Sequence, residues 1–214
     1  MISISQSTLN IYLNCRRCFW LHFNKGIGRP EGIKSSLPNK MDRIIKAYFD
    51  KYRIEGTLPP VIAGKIKGNL AKIPLNLKFE DIKNDLAITG KLDECVELEG
   101  GIFIPLDHKT KGDLPGGEEY SKRYYKLQMD TYSLLLKAKG YHTENFGYIV
   151  YYSPARGDIL KGIPFETEIH KIETEPERAY QIFIEARNFL KGPLPEPGQN
   201  CEYCAWAGKV RAQG

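Results

Sequence analysis

Two Cys-x-x-Cys pairs, Cys15 with Cys18 and Cys201 with Cys204, stand near opposite ends of a chain of 214 residues. Two intervening residues let both sulfurs of a pair reach one metal ion, and two such pairs make a four-ligand structural set. If all four close on one centre, residues 1–25 and 195–214 must meet, so the fold has to return its last segment to its first. Two independent reduced dithiols are the weaker reading of four cysteines at this spacing. Four thiolates suit zinc and an iron–sulfur cluster alike. Cys95 lies alone in an apolar run and reads as a packed thiol. No apolar run reaches transmembrane length, and Met1 to Asn14 alternates polar and apolar residues without a basic leader. The expected location is the cytoplasm, with no membrane partner, where reducing conditions favour metal ligation over disulfides.

Hydrophobic residues make up 42% and charged residues 27% of the chain. That balance excludes a disordered protein and allows one domain over 1–214 with a sizeable core. The net charge of +5 is too slight to demand a polyanionic partner. Ser5 or Ser7 can cap a first helix through Leu9, Ile11, Tyr12 and Leu13, continued by Phe19, Trp20 and Phe23. Gly26 to Pro38 reads as a loop. Ile44, Ile45, Tyr48, Phe49 and Tyr52 have helical spacing over Met41 to Arg53, which Thr57 to Pro60 stops. From Leu77 the period changes. Leu86 to Leu98 and Ile102 to Lys109 read as a hairpin turned by Gly100-Gly101. Tyr124 to Lys139 is a predicted helix, Phe146 to Tyr152 a strand, Ile159 to Ile172 a strand broken at Pro164, and Pro176 to Leu190 a last long helix. Helices flank a small mixed sheet, so the fold class is α/β.

The two runs of the hairpin carry chemistry. Gly90-Lys91-Leu92-Asp93 closes one apolar stretch, and Asp107-His108-Lys109 closes the next. Alternate strand residues share a face, so Asp107 and Lys109 project together while His108 points the other way. A neighbouring strand can bring Asp93 beside them. Two carboxylates with room for water suit a hard cation such as Mg²⁺, and a nearby lysine can orient a water or stabilise phosphorane charge. An isolated Asp-x-Lys is ordinarily a solvated strand end. Here each acid follows a core-like strand, and the next helix offers Gln128 and Tyr132 four residues apart on one face.

In this order, Gly90-Lys91-Leu92-Asp93, Asp107-His108-Lys109 and Gln128-x-x-x-Tyr132, the chain resembles the PD-(D/E)XK nucleases, specifically their RecB-like branch. The resemblance implies a restriction-endonuclease-like core and a Mg²⁺ or Mn²⁺ site on Asp93, Asp107 and the backbone carbonyl of His108. It makes Lys109 the catalytic lysine, supported by Gln128 and Tyr132. An earlier helix often adds a ligand in that family, and Asp42 is the candidate, although an acid in the first turn of a helix is also simply favourable there. The Pro-Asp pair that names the family is absent, since Leu92 precedes Asp93. Cys15-Arg16-Arg17-Cys18-Phe19-Trp20-Leu21 is similar to the N-terminal element of AddB-type and CRISPR-associated exonucleases, which join their chain ends with a 4Fe–4S cluster. That likeness favours the cluster. The usual pattern is one N-terminal and three C-terminal cysteines, and the two-plus-two arrangement here keeps zinc open.

Arg16, Arg17, Lys111, Lys122, Arg123 and Lys126 interleave with Tyr120, Tyr124 and Tyr125. Such groups neutralise phosphates and stack on unpaired bases, though a run of this kind is more often a solvated helix face. Lys126, two residues before Gln128, is the expected phosphate contact among them. The expected activity is metal-dependent hydrolysis of DNA, as an exonuclease on single-stranded or frayed ends. Any helicase or nuclease-complex subunit would be a separate chain. The alternative is a non-catalytic nucleic-acid-binding or assembly module on the same fold. Repair, phage replication and CRISPR adaptation are all open as pathways.

Overall fold

The computed structural model describes residues 1–30, 32 and 35–212. Two compact units divide the chain, one drawn from residues 1–33, 78–89 and 180–214, the other from 34–77 and 90–179.

In the first unit, strand β1 (Ile2–Ser5) runs parallel to the start of β4 (Leu86–Lys91), with Ile2 opposite Leu86 and Ser5 opposite Thr89. Helix α1 (Gln6–Asn14) follows at once. Of the two serines read as caps, Ser5 does the work. Its hydroxyl accepts from the Thr8 amide at 3.2 Å, and Thr8 Oγ1 accepts from the Ser5 amide at 2.8 Å. Helix α2 (Arg16–Lys25) ends at Gly26, whose φ of 65° permits the left-handed cap. Its side chains grip the incoming C-terminal segment. Arg17 donates to the Pro195 carbonyl, Trp20 Nε1 to that of Gly192, and Asn24 to that of Leu190. The chain ends therefore meet, as the cysteine spacing requires.

The second unit holds helix α3 (Ser36–Glu55) and a five-stranded sheet. The strands are β2 (Asn69–Leu70), β5 (Glu94–Leu98), β6 (Ile102–Thr110), β7 (Phe146–Pro154) and β8 (Phe165–Glu173), in the order 2-5-6-7-8. Gly100 and Gly101, at φ 84° and 72°, turn the β5–β6 hairpin. β6 and β7 run parallel, which a tight turn cannot achieve, so helix α4 (Glu118–Ala138) crosses between them. On one face, Ile104 and Leu106 of β6 and Val150 and Tyr152 of β7 pack with Ile45 and Phe49 of α3. Each such fully buried apolar side chain contributes about 1.5–3 kcal/mol. The opposite face belongs to α4.

The structure amends the sequence reading in several places, and α3 begins at Ser36, inside the stretch from Gly26 to Pro38 read as a loop. Leu86 to Leu98 is not one strand. β4 ends at Lys91 and joins the three-stranded sheet of β1, β4 and β3 (Asn76–Asp81), while β5 begins at Glu94 in the other sheet. Between them, buried Leu92 donates its amide to the Leu75 carbonyl at 2.9 Å, which turns the chain out of register. α4 starts at Glu118 rather than Tyr124, because Glu118 and Glu119 favour the positive helix start. Ile159 to Ile172 opens as a short 3₁₀ turn, Ile159–Lys161, and becomes strand only at Phe165, after Gly162 (φ 107°) and Pro164. β1 carries too few residues to announce itself by period. Helices α5 (Pro176–Phe189) and α6 (Glu202–Arg211) complete the chain. Among the described residues no helix is long and apolar enough to cross a membrane.

Candidate functional site

Strand alternation settles which way the Asp107 segment faces. His108 turns to the α3 side, its ring 4.3 Å from that of Phe49 and its Nδ1 3.2 Å from the Tyr152 hydroxyl. Burial holds the imidazole down to about 4, so it stays neutral. Asp107 and Lys109 turn to the α4 side and form an ion pair with each other. Gln128 Nε2 donates to Asp107 Oδ1 at 3.0 Å and to the Tyr132 hydroxyl at 2.8 Å. Tyr132 donates in turn to the Lys91 carbonyl at 2.9 Å. This chain of bonds fixes α4 against the end of β4. It works only because residue 90 is glycine: a Cβ there would stand 2.6 Å from Leu135 Cδ1. Tyr132 is 5% exposed, so its ring braces the site and is not open for stacking.

Asp93 lies in the break after β4. Its Oδ2 accepts from the His108 amide at 3.1 Å, and its Oδ1 meets Lys46 Nζ at 2.9 Å. Lys46, on α3, also reaches Asp42 Oδ1 at 2.8 Å. Burial alone would raise the Asp93 carboxyl, but Lys46 and the His108 amide outweigh it and hold the group below its ordinary range. Asp107 behaves oppositely. It is 1% exposed, and desolvation pushes it up to about 7, with Lys109 opposing and Asp93 adding to the rise. Two neighbouring carboxylates thus differ in proton affinity because one is bonded and the other is dry.

Do these residues suit a divalent cation? Asp107 Oδ2 is buried and pairs with the Lys109 ammonium. The Lys46 ammonium sits where Asp42 and Asp93 converge, as a stand-in cation would. An oxygen-only set whose charges are met by ammonium groups fits Mg²⁺ or Mn²⁺. Asp42 is linked to the others through Lys46, and among the described residues no three carboxylates close on one point.

Neither Lys46 nor the buried Glu94–Arg53 pair stands out from the sequence pattern. Burial raises the Glu94 carboxyl to about 7 against the pull of Arg53. The signal is faint: Asp42, Lys46 and Arg53 recur at helical spacing on α3, a charged stripe beside the apolar one.

Around Lys109 lies a run of rings and cations. Lys109 Nζ is 4.9 Å from the Tyr125 ring centre, Lys111 Nζ 3.6 Å from that of Tyr120, and Arg123 5.4 Å from that of Tyr124. Tyr120 and Tyr124 lie 4.6 Å apart, and Tyr124 is exposed. Lys126 is engaged elsewhere, with Glu175 at 2.8 Å and Asp130 at 3.4 Å, and Lys122 pairs with Glu119. Arg16 and Arg17 belong to the first unit, where Arg16 lies against the Tyr12 and Phe189 rings and Arg17 holds Pro195.

The four cysteines gather within the first unit. Their sulfurs all lie within 4.8 Å of one another, a set able to hold a metal. Cys15 and Cys201 each precede the first turn of a helix, α2 and α6, and Cys18 and Cys204 lie in those turns. Desolvation raises all three of Cys15, Cys18 and Cys204. For Cys15 alone, the Cys18 amide and the neighbouring thiols reverse it to a net lowering. Cys95 is fully buried in β5.

A sequence model of the PD-(D/E)XK nuclease superfamily matches residues 50–208. No curated protein matches the chain. Among solved structures, SSO0001 is similar at 16% identity and a TM-score of 0.46, over 99% of this chain and 87% of that one. A phage-related exonuclease from Haemophilus somnus 129PT is similar at 13% identity and a TM-score of 0.44, over 91% and 81%. Likenesses this slight say nothing of substrate.

Proposed function

The chain belongs to the PD-(D/E)XK nuclease superfamily, and from that premise we propose that it is a metal-dependent deoxyribonuclease of the RecB-like branch, an exonuclease on single-stranded or frayed DNA ends. In this reading residues 1–214 work as one nuclease domain. The observation that carries it is Asp107, a fully buried carboxylate whose Oδ2 is paired with the Lys109 ammonium and whose Oδ1 is held by Gln128, beside Asp93.

Asp93 and Asp107 would hold Mg²⁺ or Mn²⁺, with Asp42 and the His108 carbonyl as further oxygen donors. The ion, when bound, supplies the positive charge that polarises the scissile phosphate. Lys109 shares the face of Asp107, so its Nζ can orient the attacking water and hold a proton there. Gln128 keeps Asp107 Oδ1 in place, and Tyr132 ties Gln128 to the Lys91 backbone. Positioning of this kind matters because small displacements of reacting groups are costly in rate. Lys46 balances the charge of Asp42 and Asp93 and would yield as a metal binds.

The Tyr120–Tyr124 ring pair, with Lys111 and Arg123 against it, supports an unpaired strand as substrate. Rings stack on bases that are already open, and the cations meet the backbone. The test is digestion of end-labelled single-stranded, duplex and circular DNA with Mn²⁺. A ladder growing from one end, fastest on the single strand and absent in Asp107→Asn, is expected. Nicking of the circle would remove the exonuclease reading, and inertness of folded protein on every substrate would remove the nuclease reading.

A further inference from the structure

We propose that Cys15, Cys18, Cys201 and Cys204 hold a single zinc ion in a closed four-thiolate site, in place of the iron–sulfur cluster that the family likeness suggests. The spacing of the sulfurs carries this. Cys15 Sγ lies 3.6 Å from Cys204 Sγ, Cys18 Sγ lies 3.6 Å from Cys201 Sγ and 4.0 Å from Cys204 Sγ, and no two of the four are more than 4.8 Å apart. A tetrahedral zinc with Zn–S bonds of about 2.3 Å needs sulfurs about 3.8 Å apart. A 4Fe–4S cluster binds each thiolate to its own iron, with the whole cube of iron and sulfide between them. Sulfurs within 4.8 Å leave no room for that cube.

The surrounding backbone makes the small site hard to open. Gly198, in the loop that leads into Cys201, comes so close that a Cβ there would stand 2.9 Å from Cys15 Sγ and 3.2 Å from Cys201 Cβ. Residue 198 must therefore be glycine for the loop to lie against the sulfurs at this spacing. The ligands also come as two equivalent halves, each a Cys-x-x-Cys spanning a helix start, so both helix N-termini direct their positive ends at the thiolates. Four thiolates around one Zn²⁺ leave a net charge of −2, and the Arg29 guanidinium, whose charge acts on Cys15, Cys18 and Cys201 and which lies 4.9 Å from the Tyr203 ring centre, offsets part of it. All four ligands come from the protein, so the site is closed and structural, with no position for substrate or water.

The experiment is metal and sulfide analysis of the full chain, purified without oxygen from cells supplied with both iron and zinc. One zinc per chain, with neither iron nor acid-labile sulfide, is expected, and the same zinc in Asp107→Asn. Exchange with Co²⁺ should give the visible bands of tetrahedral thiolate-bound cobalt, and Cys204→Ser should lose the zinc. Iron with matching labile sulfide overturns the proposal. So does protein that carries no zinc, or cobalt bands that lack thiolate charge transfer. The wild-type stoichiometry and cobalt spectrum decide the matter even if Cys204→Ser fails to fold.

Discussion

Two sites of opposite character share this chain. The cysteine site is drawn from the two chain ends and closes on itself, with every ligand supplied by the protein. The carboxylate site is drawn from α3, the β4–β5 break, β6 and α4, and each of its acids is paired with an ammonium group. Soft thiolates packed to one another's surface describe a fastening. Hard oxygens kept apart by lysines, one of them dry enough to hold its proton near neutrality, describe a place where charge is meant to change.

The comparison breaks most visibly at the fastening. Cys201→Ser should destabilise the protein by more than about 2 kcal/mol, because a structural metal contributes folding free energy directly. Thermal melts with and without a strong chelator check this: the chelator should reproduce the loss in wild type and add nothing in the variant. Next is Gly90→Ala. Its methyl meets Leu135 and Tyr132, so a loss of about 1–3 kcal/mol is expected by denaturant titration, with cleavage falling as α4 is pushed from β4.

Lys46→Ala sharpens the contrast. It leaves Asp93 without its ammonium, costing about 1–2 kcal/mol without metal. Mn²⁺ should then raise the melting temperature more than it does in wild type, since the ion no longer competes with Lys46. A smaller Mn²⁺ shift than wild type would show that lysine and metal do not share this place. Smallest is Asp81→Asn in the first unit. The Tyr180 hydroxyl and Asn84 hold Asp81 below the ordinary carboxylate range. Its stabilisation is thus present at neutral pH and is lost as pH falls below about 4. The substitution should cost about 1 kcal/mol or less at pH 7 and progressively less as pH falls below about 4, read from denaturation across that range.

The sequence made these two sites legible to different degrees. The cysteine spacing announced the meeting of the ends, because metal ligation needs so specific a set. Asp107 and Lys109 were legible from strand alternation, and Gln128 and Tyr132 from helical spacing. Asp93 is legible as an acid closing an apolar run, but the apolar runs on either side conceal a change of sheet at Leu92. Lys46 was missed because its partners come from residues far away along the chain, and a lysine on an amphipathic helix reads as solvated. Lys126 was placed near phosphate by its neighbours in sequence, whereas Glu175 and Asp130 engage it from across the fold.

The most direct test of the account is the single-turnover cleavage rate of Lys109→Met beside wild type, on end-labelled single-stranded DNA with Mn²⁺, with melting curves taken in parallel. Loss of a proton-handling group should lower the rate by roughly 10²–10⁴-fold, while the fold and the Mn²⁺-induced shift in melting temperature persist. A folded Lys109→Met that cleaves within a few-fold of wild type would contradict the account and move the chemistry away from Asp107 and Lys109.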